Sequence, residues 1–334
     1  MAWSVSEGGR IPGSDGVPAF VWRRKCLGQR LEQHSAPIPL IIAVPHAGRH
    51  YPAGLLAAMR QPELAARRLE DRLVDLIGLE VARATGATLL VAQAPRAMID
   101  LNRAPDDIDR EMIVPDPTVP VGRLMPRRGG AGGGIGGRAQ GGLGLVPRRL
   151  AGLGEVWRGR LPAVELQARI EDVHVPYHAA LADEHVAVAR DWGAALLLDL
   201  HSMPPLPVRA DGEPGGTFVL GDRFGASCAT RLSGAAFAHL ASCGVRVAHN
   251  RPYAGGYGLE RHGRRDSGLH AMQLEIDRSL YLDAALAEPG EGMAGVIEIV
   301  SGLVRRLAGE VAALGQVASG RGAQTNQGWS RAAE

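Results

Sequence analysis

Lysine is almost missing from this chain. Lys25 is the only one, so the basic side is arginine, and 37 Lys+Arg against 35 Asp+Glu leave a formal net charge of +2. A single lysine near the N-terminus leaves no Gly-Lys-Ser/Thr phosphate loop and no core amine for a Schiff base. With only 22% charged residues, the chain has no polybasic footprint for nucleic acid or a membrane surface. Cysteine is scarce too: Cys26, Cys228 and Cys243 are odd in number and have no disulfide or metal spacing. They read as free thiols of a reducing compartment. No apolar run reaches the ~18 residues that span a bilayer. Met1 to Asp15 carries acids and glycines where a secretory leader has a basic start and an apolar run. The expectation is a cytoplasmic protein acting on a small molecule, with no nucleic acid or membrane partner.

What is present is enough apolar matter for a sizeable core, 46% of 334 residues. Residues 1–16 read as disordered, and 18–24 as a short edge strand. Pro39 to Val44 is a continuous apolar run suited to a strand buried on both faces. Residues 62–84 carry a helical period opened by Pro62, and Ala87 to Ala92 forms a second strand. Residues 161–190 are helical with an interruption at Pro176. Further strands are expected at 194–200, 218–221, 245–248 and 271–276, with helices at 227–242 and 291–314. Strands alternating with helices predict an α/β sheet in one domain over 17–315, followed by a frayed tail at 316–334. Between them, 121–144 is rich in glycine. Gly132, Gly134 and Gly137 spell a G-x-G-x-x-G, but no strand precedes it and no helix follows, which excludes a dinucleotide site. A mobile flap is expected there.

Titratable residues recur at strand ends. His46 closes the first apolar strand, His201 follows Asp199 near the end of another, and Glu275 lies near the end of a third. Carboxyl ends of strands in an open α/β sheet converge on one crevice. Two imidazoles and one or two carboxylates there fit a catalytic zinc with an open fourth position; Mn or Co suits the same donors. Other histidines are weaker candidates. His174 and His178 have helix spacing but flank Pro176 and lack the usual glutamate. His50, His249, His262 and His270 sit in loop-like surroundings, His262 and His270 as possible pocket linings. No G-x-S-x-G elbow surrounds any serine, so Ser202 reads as a hydrogen-bonding neighbour.

Several motifs in order then resemble one family. They are Pro45-His46-Ala47-Gly48-Arg49, Tyr51-Pro52, Ile99-Asp100-Leu101-Asn102-Arg103, Pro176-Tyr177-His178, Leu198-Asp199-Leu200-His201-Ser202-Met203, Gly255-Gly256-Tyr257 and Gln273-Leu274-Glu275-Ile276. Together they span roughly 39–284 and resemble the N-formylglutamate amidohydrolase family. The resemblance implies a mixed, mainly parallel sheet flanked by helices, a zinc-exopeptidase (phosphorylase/hydrolase-like) architecture with the metal at the sheet's carboxyl edge.

Roles follow from the resemblance residue by residue. His46 and His201 would bind zinc. The third ligand would be an acid among Glu70, Asp71 and Asp75; the family's pattern points to Asp71, although Asp71 falls opposite the apolar stripe of Leu69, Leu73 and Leu76. It fits better if the helix starts near residue 71. Glu275 would be the general base and Arg103 would clamp a substrate carboxylate or an oxyanion, with Asn102 assisting and Asp100 orienting Arg103. Arg96 and Arg261 are candidates for a second carboxylate, with Arg264 behind them; Gly255 and Gly256 would let backbone approach the ligand. The expected activity is removal of a formyl or other acyl group from an acidic amino acid. A zinc exopeptidase acting on a short peptide and a non-catalytic binding protein are the alternatives.

Overall fold

The structure, a computed structural model, describes residues 3–25, 36–118, 141–208, 212 and 215–318. The apolar runs become the middle of one sheet: β3 (Leu40–Val44), β4 (Thr88–Ala92) and β9 (Ala195–Met203), all fully buried along their length. Runs of this kind, without polar alternation, belong to parallel strands covered on both faces. With β1 (Trp3–Gly8), β2 (Phe20–Lys25), β10 (Phe218–Gly221), β11 (Val247–His249) and β12 (Leu269–Asp277), they form an eight-stranded sheet ordered β1-β2-β4-β3-β9-β12-β10-β11. β4, β3, β9 and β12 run parallel at its centre, whereas β1, β2 and β10 join antiparallel. The mixed, mainly parallel sheet flanked by helices is therefore present. No helix among the described residues is long and apolar enough to cross a membrane.

Several local expectations change. Residues 3–8 are not disordered. They form β1, paired from Trp3↔Lys25 to Gly8↔Phe20, so β2 is covered rather than an edge. The short Trp-Ser-Val-Ser alternation carries the strand period, and backbone pairing supplies the rest. The helix expected over 62–84 is two helices, α2 (Pro62–Leu69) and α3 (Val74–Thr85), preceded by the short α1 (Ala53–Ala58). Pro176 does not interrupt its helix. It occupies the first turn of α5 (Val175–Trp192), where no N–H is required of it; a π-helical turn, Ile170–His174, separates α5 from α4 (Ala163–Arg169). Residues 121–140 of the expected flap lie outside the described residues, as do 319–334 of the expected tail. Around the flap, β5 (Ile113–Val114) pairs with β8 (Leu161–Pro162) and β6 (Arg149–Leu150) with β7 (Gly154–Glu155).

Two cores sit on the two sheet faces, sorted by the strand period of two. Ile41, Ala43, Ala195, Leu197 and Ala271 face α5 through Tyr177, Leu181 and Val188. Leu40, Ile42, Leu196, Leu198, Leu200, Met272 and Leu274 face α3, α6 (Thr230–Ser242) and α8 (Met293–Ala318). The α5 side turns polar towards the carboxyl ends, where Asp199, His201, Gln273 and Glu275 take the positions that Ala195, Leu197 and Ala271 hold lower down.

The α5 side also buries histidines. His185 is buried between α5 and β9, with its Nε2 3.4 Å from the Ala195 carbonyl. Burial, reinforced by nearby His270, lowers its pKa to about 4. Unfolding therefore takes up a proton as the pH falls from 6.5 to about 4, so the neutral ring stabilises the fold above that window and the contribution is lost through it. The melting temperature of His185→Leu relative to the wild type is expected to rise by a few degrees between pH 7 and pH 4.5, read by thermal melts of both proteins. An unchanged difference would mean that His185 titrates alike folded and unfolded.

Candidate metal centre and active site

Three elements bring three side chains that could hold a metal ion together. His46 follows β3 across Pro45, His201 lies near the end of β9, and Asp71 occupies the break between α2 and α3. All three are buried, and one ligand atom from each lies within 4.8 Å of the others. Asp71 Oδ2 is 3.0 Å from His201 Nδ1 and 3.5 Å from His46 Nδ1. Each ring turns its other nitrogen to a second carboxylate. His46 Nε2 is 2.7 Å from Asp100 Oδ1, and His201 Nε2 is 3.0 Å from Asp199 Oδ2. The Asp100 contact keeps the His46 ring proton on Nε2 and presents its Nδ1 as a lone-pair donor, whereas both nitrogens of His201 face carboxylates, Asp71 at Nδ1 and Asp199 at Nε2. His46 Nδ1 is a buried nitrogen without a hydrogen bond, an orphan of the sort a bound cation satisfies. Two imidazoles, one carboxylate and an open cavity beside them fit a catalytic zinc or a similar divalent ion.

The helix break is what places Asp71. Its N–H donates to the His46 carbonyl at 2.9 Å, tying the two ligand backbones together. Leu73, in the left-handed region at φ 59, ends the break and starts α3. The freed carbonyls are taken by side chains from beyond β12: Arg278 Nη2 donates to the Glu70 carbonyl at 2.6 Å, and the Tyr281 hydroxyl to that of Arg72 at 2.8 Å. Arg278 Nη2 also reaches Asp71 Oδ1 at 3.3 Å, and its Nε donates to Ser202 Oγ at 3.0 Å. The other two acids point elsewhere. Asp75 pairs with Arg49, its Oδ2 2.6 Å from Nη2, and Glu70 lies 3.5 Å from Arg72.

The field around the three donors favours positive charge. Burial by itself would raise Asp71, yet His201 and His46 outweigh it and hold the carboxyl well below the usual range. Burial would lower His201, yet Asp199 and Asp71 carry its pKa well above that of an ordinary imidazole. Glu275 is paired in register with His201 across β12 and β9. Its burial, opposed by His201 and reinforced by the negative charge of Asp71, pushes its pKa up to about 7. A carboxyl balanced near neutrality is suited to taking up and returning a proton.

These residues line a cavity of about 270 Å³. Arg96, Asn102, Arg103, Ser202, Gly255 and Gly256 also line it, whereas Arg261 does not; its Nη1 lies 3.2 Å from the Tyr257 hydroxyl on α7 (Tyr257–His262). Arg264 is likewise outside. Arg103 is buried, with Nε donating to the Leu143 carbonyl at 2.9 Å and Nη1 to that of Asn102 at 2.8 Å. The Asp100 carboxylate bridges His46 and Arg96, whose Nε donates at 2.9 Å, and the Asp100 carbonyl accepts from the Arg103 N–H at 3.1 Å. Asn102 Nδ2 donates to Gln273 Oε1 at 3.3 Å, and Gln273 Nε2 to Glu275 Oε1 at 2.8 Å, a chain that orients the carboxyl. Gly256 abuts protein as well as cavity: a Cβ there would come within 2.4 Å of Asn102 Oδ1. Arg278, Gln273 and Arg68 are pocket residues that sequence reasoning did not assign. Gln273 offers a signal, two residues before Glu275 on the same strand face; Arg278 offers only its place just past the strand.

Comparisons with known proteins identify the family. The N-formylglutamate amidohydrolase family profile matches residues 38–282. N-formylglutamate deformylase of Pseudomonas aeruginosa is 28% identical over 292 residues, 84% of this chain and 94% of that protein. The deformylase of Pseudomonas putida is 30% identical over 261 residues, 76% and 85% of the two chains. The crystal structure of N-formylglutamate amidohydrolase from Ralstonia eutropha JMP134 superposes with a TM-score of 0.71 at 32% identity, covering 83% of this chain and 95% of that one. The chain belongs to the N-formylglutamate amidohydrolase family.

Proposed function

We propose that the protein hydrolyses the N-formyl amide of an acidic amino acid such as N-formyl-L-glutamate, releasing formate and the free amino acid, with zinc held by His46, Asp71 and His201. The observation that carries this reading is the buried His46–Asp71–His201 group with Glu275 in register beside His201, inside a small cavity walled by arginine. When bound, zinc supplies a water of lowered pKa and a Lewis acid for the amide carbonyl.

The protein's own groups do the rest. Glu275 accepts a proton from the attacking water and returns it to the departing nitrogen, so the C–N bond breaks with a neutral amine leaving; its pKa of about 7 suits both transfers. Gln273 holds Glu275 Oε1 and keeps the other oxygen available. Arg96 and Arg103 offer guanidinium groups for the substrate's carboxylates, which favour a planar paired donor. A cavity of about 270 Å³ lies at the small end of ligand pockets, which run from about 300 Å³ upward. It suits a single amino-acid derivative better than a peptide, and so favours deformylation over exopeptidase action.

Purified protein is expected to contain one equivalent of zinc and to release formate from N-formyl-L-glutamate, with chelator abolishing turnover and zinc restoring it. Metal-replete protein without bound metal would overturn the mechanism; zinc without formate release would move the substrate to another N-acyl amino acid. Glu275→Gln is expected to keep its zinc while kcat falls by a factor of about 10²–10⁴, the contribution of a positioned acid–base group. A Glu275→Gln enzyme with near-normal kcat would remove that residue from the chemistry. Arg96→Ala is expected to raise KM for N-formylglutamate at least tenfold more than KM for N-formylalanine, measured side by side. Equal effects on the two substrates would leave Arg96 without a part in side-chain recognition.

A further inference from the structure

The segment Asp100–Arg103 carries two cavity-lining residues, Asn102 and Arg103, and the carboxylate behind His46, and its Leu101 and Arg103 carbonyls are held by groups that do not line the cavity. His178 Nε2 lies 2.9 Å from the Leu101 carbonyl, and His174 Nε2 lies 2.9 Å from that of Arg103. Between them, the Asn102 carbonyl accepts from Arg103 Nη1 at 2.8 Å and from the Tyr257 N–H at 3.4 Å. Three consecutive carbonyls thus have donors of their own. We propose that His174 and His178 are positioning residues that set the Asp100–Arg103 segment from behind, and that His262 fixes the ring state His178 needs.

The ring states follow from the partners. A carbonyl only accepts, so Nε2 of both His174 and His178 must carry the proton. His178 Nδ1 is then bare, and His262 Nε2, 3.0 Å away, must donate to it. The order is His262 to His178 to the Leu101 carbonyl, every ring neutral. Burial lowers the pKa of all three, His174 to about 4, His178 well below its usual value and His262 to about 3, with the nearby Arg261 adding repulsion. The π-helical turn Ile170–His174 ends at the first of these histidines; the extra residue per turn resets the helix face there, as such turns often do at functional positions. Stacking holds the group in place: His174 lies 4.5 Å from His178, and His178 lies 5.0 Å from Tyr257 and 5.3 Å from His262, centroid to centroid.

The consequence reaches the reacting groups through Asn102. Its N–H donates to Asp100 Oδ1 at 2.8 Å, the oxygen that faces His46 Nε2, and its Oδ1 accepts from the Gly258 N–H at 3.0 Å. Its Nδ2 begins the chain through Gln273 to Glu275. A displaced Leu101 carbonyl would therefore loosen both the His46 orientation and the Glu275 orientation.

The test compares wild type, His178→Gln, His178→Phe and His178→Ala. Glutamine can donate from the position of Nε2, whereas phenylalanine keeps the ring packing without a donor. The first readout is amide hydrogen exchange at Asn102 and Gly258. The expectation is exchange at least tenfold faster in His178→Phe and His178→Ala, with His178→Gln near wild type and thermal melts of Gln and Phe variants alike. The second readout is kcat/KM with N-formylglutamate, which rests on the proposed activity. His178→Phe is expected to lower it about 10–100-fold, the scale of lost support behind a metal-site residue, but less than threefold in an Asn102→Ala background. Unchanged exchange in His178→Phe, equal behaviour of Gln and Phe, or the same loss in both backgrounds would overturn the proposal. A wild-type enzyme inactive on N-formylglutamate would count against the activity alone, since the exchange comparison still decides the positioning role. If His178→Ala does not fold, the Gln and Phe pair carries the comparison.

Discussion

A single buried carboxylate, Asp71, sits between two imidazoles, and most of the site's architecture answers the demands of that placement. A buried anion costs several kcal/mol unless charges and hydrogen bonds around it compensate. Here His201 and Arg278 both approach it, Ser202 Oγ donates at 3.3 Å, and its own backbone N–H is spent on the His46 carbonyl. The break between α2 and α3 exists to bring it there, and that break needs Arg278 and Tyr281 to occupy carbonyls that a continuous helix would have satisfied itself. Residues 70–73 and 278–281 are thus one structural unit, although two hundred positions separate them in the chain.

The same economy governs the sheet. β9 and β12 carry apolar core on both faces, and the α5-facing positions turn polar from Asp199 and Gln273 onward, with Ser202 joining them from the opposite face. A period of two lets one face continue as core while the other becomes a site, with no loop inserted between them. His201 opposite Glu275 and Asp199 opposite Gln273 are consequences of parallel register. Gly48 makes a comparable contribution after His46: a Cβ there would meet the Ala94 carbonyl oxygen at 2.1 Å, so the motif's glycine lets the His46 loop press against the segment that follows β4.

Much of this was legible in the sequence, and the reasons differ by element. The strands bearing His46, His201 and Glu275 declare themselves by short apolar runs ending in titratable residues. Asp71 did not, because the periodicity of 62–84 is helical on both sides of the break and nothing within Glu70–Leu73, neither glycine nor proline, marks it; only the family resemblance singled that acid out. Arg278 escaped because its partner is remote in sequence and its nearer neighbour Glu275 is the more obvious mate. Arg261 was a candidate for a second substrate carboxylate, but the short α7 turns it toward Tyr257. Asp100 was assigned to Arg103, whose N–H its carbonyl does accept; that its carboxylate bridges His46 and Arg96 is fixed by tertiary packing alone. Residues 3–8 are polar enough to read as unstructured, and become a strand only because β2 offers them an edge.

That last strand has a bearing on how the molecule behaves at high concentration. An unpaired strand of a sheet is a template for the same strand of another molecule. On one side the sheet ends in β11, three residues long, which leaves little to copy. On the other side it ends in β1, where Val5, Ser6 and Glu7 are exposed and Trp3 is half-buried. Beneath it lies β2, whose Phe20 and Trp22 are buried in the core and whose full six-residue edge β1 occupies. The first strand therefore covers the whole six-residue margin of β2, and trimming it as a dispensable tail would expose the longer and more apolar of the two margins.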